Sequence, residues 1–103
     1  MKPLSVGLAG YGVVGKKRRT CIDQHPQLRL TAVCDQIFKN PGVFPDGARF
    51  YPAYKQLLAE QLDVLFVCLT NDLLSVVTIE GLERGLHVFF GKPPARIIED
   101  LYL

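Results

Sequence analysis

The stretch of this chain with the clearest chemical meaning is Gly10-Tyr11-Gly12-Val13-Val14-Gly15, a G-x-G-x-x-G spacing directly after the apolar run Leu4–Ala9. An acid, Asp35, follows 20 residues beyond Gly15. A strand, a glycine turn, a helix and a later acid are together the fingerprint of a site for a dinucleotide's diphosphate. Each residue type has a task. Gly10 allows the tight turn, Gly12 lets a pyrophosphate approach the backbone, and Gly15 lets the helix pack closely on the strand. The helix opening at Val13 offers free N–H groups and a partial positive charge to the diphosphate. Asp35 accepts hydrogen bonds from the adenosine ribose hydroxyls. The bland alternative is a glycine turn that binds nothing, with Asp35 a plain strand-end acid. An acid there repels a 2′-phosphate, which favours NAD. Lys39, four residues on, keeps NADP as the second choice.

Other reactive side chains form no comparable pattern. Lys16-Lys17-Arg18-Arg19 is a basic run, but it falls in the helix behind the glycine loop, where positive charge suits a diphosphate. Without interleaved aromatics, and with a net charge of only +2, it does not argue for nucleic acid. Cys21, Cys34 and Cys68 lack C-x-x-C spacing, so neither a disulfide framework nor a zinc site is expected. They read as small hydrophobes in buried elements of a protein kept in a reducing compartment. No metal site is expected. His25 precedes Pro26 at a helix end, and His87 is expected to be a core histidine. Ser75 has no His/Asp partner. Tyr11 has no forced structural role; it either covers the pyrophosphate or faces solvent.

These groups need a scaffold, and 103 residues provide for one domain with one core. With 49% hydrophobic and 21% charged residues, the composition excludes wholesale disorder. The charge of the N-terminal region follows its apolar stretch, unlike a secretory signal, and no run approaches the ~20 apolar residues of a transmembrane helix. A cytoplasmic protein without a membrane partner is the expectation. Strands are predicted at 4–9, 28–34, 50–51, 62–69 and 86–90. Helices are predicted at 13–25, with an inward stripe of Val14, Cys21 and Ile22, and at 54–61, 73–84 and from 97. Asn71 or Asp72 is the expected cap of the third helix, and Gly85 its C′ glycine. Four breakers, Pro41, Gly42, Pro45 and Gly47, argue against a crossover helix in 36–49. Such alternation predicts an α/β fold: a doubly wound parallel sheet of about five strands, order 3-2-1-4-5, with its ligand crevice between strands one and four.

The whole chain is similar to the N-terminal NAD(P)-binding Rossmann domain of the Gfo/Idh/MocA oxidoreductases. The likeness is carried by Val6 to Gly15, by Leu30-Thr31-Ala32-Val33-Cys34-Asp35, by Tyr51 to Leu58 and, most specifically, by Leu82 to Pro93. That last stretch resembles the family's L-x-x-G-x-H-V-x-x-E-K-P signature. The resemblance implies a nicotinamide-dependent oxidoreductase acting on a sugar, cyclitol or nucleotide-sugar hydroxyl. It places Lys92 beside the nicotinamide, where an ammonium stabilises developing alkoxide charge, with Pro93, Thr70 and Asn71 on the same side. It also implies that the Lys92–Pro93 bond is cis, as in many relatives.

Three departures stand out. Gly91 replaces the family glutamate, Leu74 replaces one frequent histidine, and Arg18 replaces another. The family's second α/β domain, which supplies the substrate pocket, a catalytic histidine or aspartate and the oligomer interface, is not among these residues. The resemblance therefore implies that residues 1–103 alone bind cofactor without turnover. A non-catalytic dinucleotide-binding or partner-binding module is the rival reading, and a ligand-free remnant the third.

Overall fold

A strand buried on both faces must carry apolar residues in sequence, and a helix needs only one apolar face; the chain alternates between these two patterns. A computed structural model of the chain describes residues 3–69 and 73–89. Among them the order is β1 (Leu4–Ala9), α1 (Val13–Asp23), β2 (Leu28–Cys34), β3 (Gly42–Val43), β4 (Arg49–Tyr51), α2 (Tyr54–Leu58), β5 (Val64–Val67), α3 (Leu73–Glu83) and β6 (His87–Phe89). They form one sheet of order β3-β4-β2-β1-β5-β6. All pairings are parallel except β3 with β4. The expected order 3-2-1-4-5 is therefore present as β4-β2-β1-β5-β6, with an antiparallel edge strand added.

That extra strand is the main correction to the fold. The segment 36–49, in which no crossover helix is expected, indeed has none and contributes to a hairpin. Phe44 N–H donates to Ala48 O at 2.7 Å, Gly47 N–H to Phe44 O at 2.9 Å, and Gly47 takes a φ of +95°. Pro45-Asp46-Gly47 is turn chemistry, with proline presetting φ and glycine supplying the left-handed residue. The signal was legible as P-D-G between two short apolar runs. The Asp46 side chain completes the turn by accepting from Ala48 N–H at 3.0 Å.

The chain steps from β1 outward to β2 through α1, and from β5 outward to β6 through α3 in the opposite direction. Right-handed connections then place the helices on opposite faces. Val6, Leu8, Val33, Val64 and Phe66 pack with Ile22 of α1 on one face. Ala9, Ala32, Cys34, Leu65 and Val67 pack with Leu57 and Leu58 of α2 and Val77 of α3 on the other. In β2 the pairing skips Thr31, so that Val6 opposes Leu30 while Gly7 opposes Ala32. This bulge switches the side-chain alternation in mid-strand. At the far end of α3, Gly85 has a φ of +80°, Gly85 N–H donates to Leu82 O, and Leu86 N–H to Gly81 O. These two bonds are the Schellman arrangement expected of a C′ glycine.

Burial corrects several smaller expectations. On α1 the buried residues are Gly15 and Ile22, while Val14 is exposed. His87 is exposed at the first position of β6, the last strand of the described sheet, and so is no core histidine. Of the three thiols, all free, Cys34 alone is fully buried; Cys21 and Cys68 are half-buried. No helix among the described residues is long and apolar enough to cross a membrane.

One ion pair ties β4 to the segment after α2. Arg49 donates through Nε and Nη2 to Glu60, and Tyr51 Oη donates to the same carboxylate at 2.5 Å. The hydrogen bond from Arg49 holds the Glu60 carboxyl below its usual range. A depressed carboxyl contributes stability above its unfolded value of about 4.3 and loses that contribution as the pH falls through the lower folded value. Glu60→Gln is expected to lower stability at neutral pH and to flatten the loss of stability below about pH 4, as read by urea unfolding across a pH series.

Candidate functional site

The site is assembled from strand ends. Parallel strands all finish on one side of the sheet, and at β1 the strand order reverses, which leaves a crevice no crossover helix fills. Here a cavity of about 510 Å³ is lined by Gly10, Gly12, Val13, Val14, Cys34 and Asp35 from the first two units. Gln36, Pro52, Ala53 and Tyr54 continue the wall on one side, with Cys68, Leu69 and Leu73 on the other. Its size and largely apolar wall suit a small organic ligand.

The three glycines differ in what surrounds them. Gly10 has a φ of +99°, and a Cβ there would stand 2.6 Å from Cys68 O. At Gly15 a Cβ would stand 2.1 Å from Gly10 O. At Gly12 a Cβ would meet nothing within 4 Å. Two glycines are thus required by the protein's own packing, whereas the third faces open space beside the cavity. Gly12 is also the N-cap of α1, so no side chain caps the helix and no acid occupies its first turn. The first-turn N–H groups have no intrahelical acceptors, and the helix dipole favours an anion in front of them.

Asp35 follows the last residue of β2, with both carboxylate oxygens engaged. Tyr11 N–H donates to Oδ2 at 2.5 Å and Ile37 N–H to Oδ1 at 2.9 Å. Two backbone donors fix the plane of the carboxylate, yet a carboxylate has about four acceptor directions. Roughly two remain for a ligand diol. Burial pushes the Cys34 thiol up to about 12, so it stays protonated in the cavity wall at neutral pH. Cys68 is raised in the same way by burial, against the opposing effect of the Arg18 cation.

Of the expected site residues, Gly10, Gly12, Val13, Val14 and Asp35 come together on this cavity. Gly15 lies beneath the loop and does not line it. Tyr11 turns its ring away: Oη accepts from Arg19 Nη1 at 3.1 Å, and the ring packs 5.9 Å from Phe38 and 5.7 Å from Phe44. Tyr11 is half-buried, with a structural partnership that local sequence does not reveal. Thr70, Asn71, Lys92 and Pro93 lie outside the described residues. So do Gly91, Asp72, the Lys92–Pro93 bond and the helix expected from residue 97. The lining residues Gln36 and Pro52–Tyr54 were missed by motif reading, although each follows the end of a parallel strand, where ligands of such sheets bind. No cluster of metal-ligating side chains occurs among the described residues.

A parallel sheet, a glycine turn at its reversal point, an uncapped helix start and an acid on the neighbouring strand define a dinucleotide-binding domain of Rossmann type. Residues 4–102 match the model of an oxidoreductase family with an NAD-binding Rossmann fold, Gfo/Idh/MocA. D-glucoside 3-dehydrogenase of Escherichia coli K12 is 33% identical over 104 residues, which cover 90% of this chain and 28% of that protein. Among solved structures, the D-galactose-1-dehydrogenase protein of Rhizobium etli superposes with a TM-score of 0.74 at 21% identity, over 91% of this chain and 30% of that one. The WlbA dehydrogenase of Bordetella pertussis, in complex with NADH and UDP-GlcNAcA, gives 0.70 at 25% identity, over 86% and 28%. The chain belongs to the Gfo/Idh/MocA oxidoreductase family. It spans less than a third of the length of these relatives.

The different surroundings of the glycines make a test. Gly15→Ala drives a methyl into a backbone oxygen and is expected to cost about 1–3 kcal/mol, seen as a lowered Tm. Gly12→Ser supplies a helix cap and is expected to hold or raise Tm, while weakening nucleotide binding about tenfold in an NADH titration.

Proposed function

We propose that the cavity binds nicotinamide adenine dinucleotide, in its non-phosphorylated form, as the cofactor site of a sugar-type oxidoreductase. The observation that carries this reading is the contrast among the glycines: packing accounts for Gly10 and Gly15, while Gly12 leaves room at an uncapped helix start beside Asp35. The diphosphate lies against Gly10, Gly12 and the first-turn N–H groups of Val13 and Val14. The adenosine ribose hydroxyls donate to Asp35, and the adenine rests against Pro52, Ala53 and Tyr54. A 2′-phosphate would bring its charge against the Asp35 carboxylate, which is the reason for NAD over NADP.

On the nicotinamide side we assign Thr70, Asn71, Lys92 and Pro93, with Lys92 donating to the reacting oxygen. The bound cofactor supplies hydride transfer; the chain's own residues bind and orient it. The substrate class proposed for the whole protein is the hydroxyl of a sugar, cyclitol or nucleotide sugar, in line with the relatives' names. Three free thiols suit a reducing, cytoplasmic setting. Gly91, in place of the family glutamate, favours a second reading, a module that binds the cofactor without turning it over. Binding without hydride transfer, in the protein that the whole reading frame encodes, would select that module.

The test is a fluorescence titration of the chain with NADH and NADPH. Wild type is expected to bind NADH more tightly. In Asp35→Asn, whichever way the amide turns, an NH₂ confronts either the Tyr11 or the Ile37 N–H. NADH binding is expected to weaken at least about tenfold, the loss of a charged acceptor's hydrogen bonds, with NADPH affected less. Failure of wild type to bind either nucleotide at millimolar concentration would overturn the reading.

A further inference from the structure

Arg19 lies on α1, outside the cavity, and its side chain is only 15% exposed. A guanidinium that far out of water needs partners, and Arg19 has them on three elements. It donates to Tyr11 Oη at 3.1 Å, to Asp23 Oδ2 at 3.4 Å and to Asp46 at the hairpin tip. Its guanidinium also stands 4.6 Å from the centre of the Phe44 ring. A planar, multidentate cation is the side chain that can make such contacts together.

The Tyr11 and hairpin contacts lead to the same carboxylate. Tyr11, held by its hydroxyl, gives its backbone N–H to Asp35 Oδ2. Asp46 anchors the hairpin. Its Phe44 and Phe50 rings pack on Phe38, at 6.0 and 4.6 Å, and Phe38 follows Ile37, the donor to Asp35 Oδ1. Both backbone donors that aim Asp35 are thus braced from Arg19, one through the glycine loop and one through the 36–48 segment.

We propose that Arg19 is a positioning residue for the adenosine ribose: it keeps both donors in place so that Asp35 meets the ribose diol already oriented. The inference rests on reading the cavity as a dinucleotide site. Preset acceptors spare the ligand the ordering of a loop, and the preference for a ribose hydroxyl over its phosphate is read at this carboxylate.

Arg19→Met keeps most of the side chain's packing and removes its donors; Tyr11→Phe removes a single oxygen. In ligand-free protein, the amide protons of Tyr11 and Ile37, observed by NMR, are expected to move upfield in Arg19→Met as their bonds to Asp35 lengthen. The NADH Kd is expected to rise about fivefold, the worth of one hydrogen bond, and the preference for NADH over NADPH to shrink by a similar factor. Tyr11→Phe should shift the same preference in the same direction, and carries the test if Arg19→Met does not fold. Unmoved amide protons, or equal weakening of both nucleotides, would reduce Arg19 to a structural tie and overturn the proposal. Amide protons that move in a protein binding neither nucleotide would instead sink the cofactor reading.

Discussion

The closest contact on which the site depends is between two glycines. Gly15 in the first turn of α1 lies against the Gly10 carbonyl so tightly that a methyl group would stand 2.1 Å from its oxygen. That approach brings the start of the helix down onto the end of β1. With the helix start there, its unpaired N–H groups open at the point where the strand order reverses. Any larger residue at 15 would lift the helix away, and with it the unpaired N–H groups at the cavity's edge. Gly10, turned by its positive φ beneath Cys68 O, is the other half of the same constraint.

Around this contact the molecule solves a second problem, the missing crossover helix between β2 and β4. A helix would have covered the apolar face of the outer strands. The chain instead folds a short hairpin whose Phe44 and Phe50 rings, with Phe38 and Tyr11, build an aromatic layer against α1. Arg19 closes that layer with charge on one side and a ring stack on the other. Added to the sheet edge, the two-residue strand β3 leaves little free backbone for another chain to pair with. The loop that carries Asp35 is thereby supported from both sides without a helix.

Much of this was legible in the residues. The apolar runs and their turn signals located the strands and helices, since period and punctuation are local properties. The glycine spacing and the acid 20 residues on name residues, Gly10, Gly12 and Asp35, that the fold brings to one cavity. Within the segment 36–49 the turn is legible as Pro45-Asp46-Gly47, but four breakers only exclude a helix, and the pairing of β3 with β4 is decided by tertiary contacts. The stripe on α1 keeps Ile22 but departs from the expected one at its start, where Gly15, which carries no side chain, is buried and Val14 faces the cavity. His87 departs from the expected burial because its strand lies at the edge of the described sheet, and local apolarity does not distinguish an edge from a centre.

What the sequence by itself determined is the five parallel strands, the helices that join them within the described residues, their order in the sheet and the motif that opens the site. These follow from spacing along the chain and from the handedness of connections. Tertiary structure alone decided which glycine is filled by protein and which is open, and that Pro52 to Tyr54 join the cavity wall. It also decided that Tyr11 faces Arg19. The physical reason is the same in each case. Surroundings are set by how the backbone folds back on itself, from Gly10 O lying over Gly15 and Tyr11 meeting Arg19 to Asp46 reaching Arg19 across 27 positions, and the spacing of residue types does not encode such meetings.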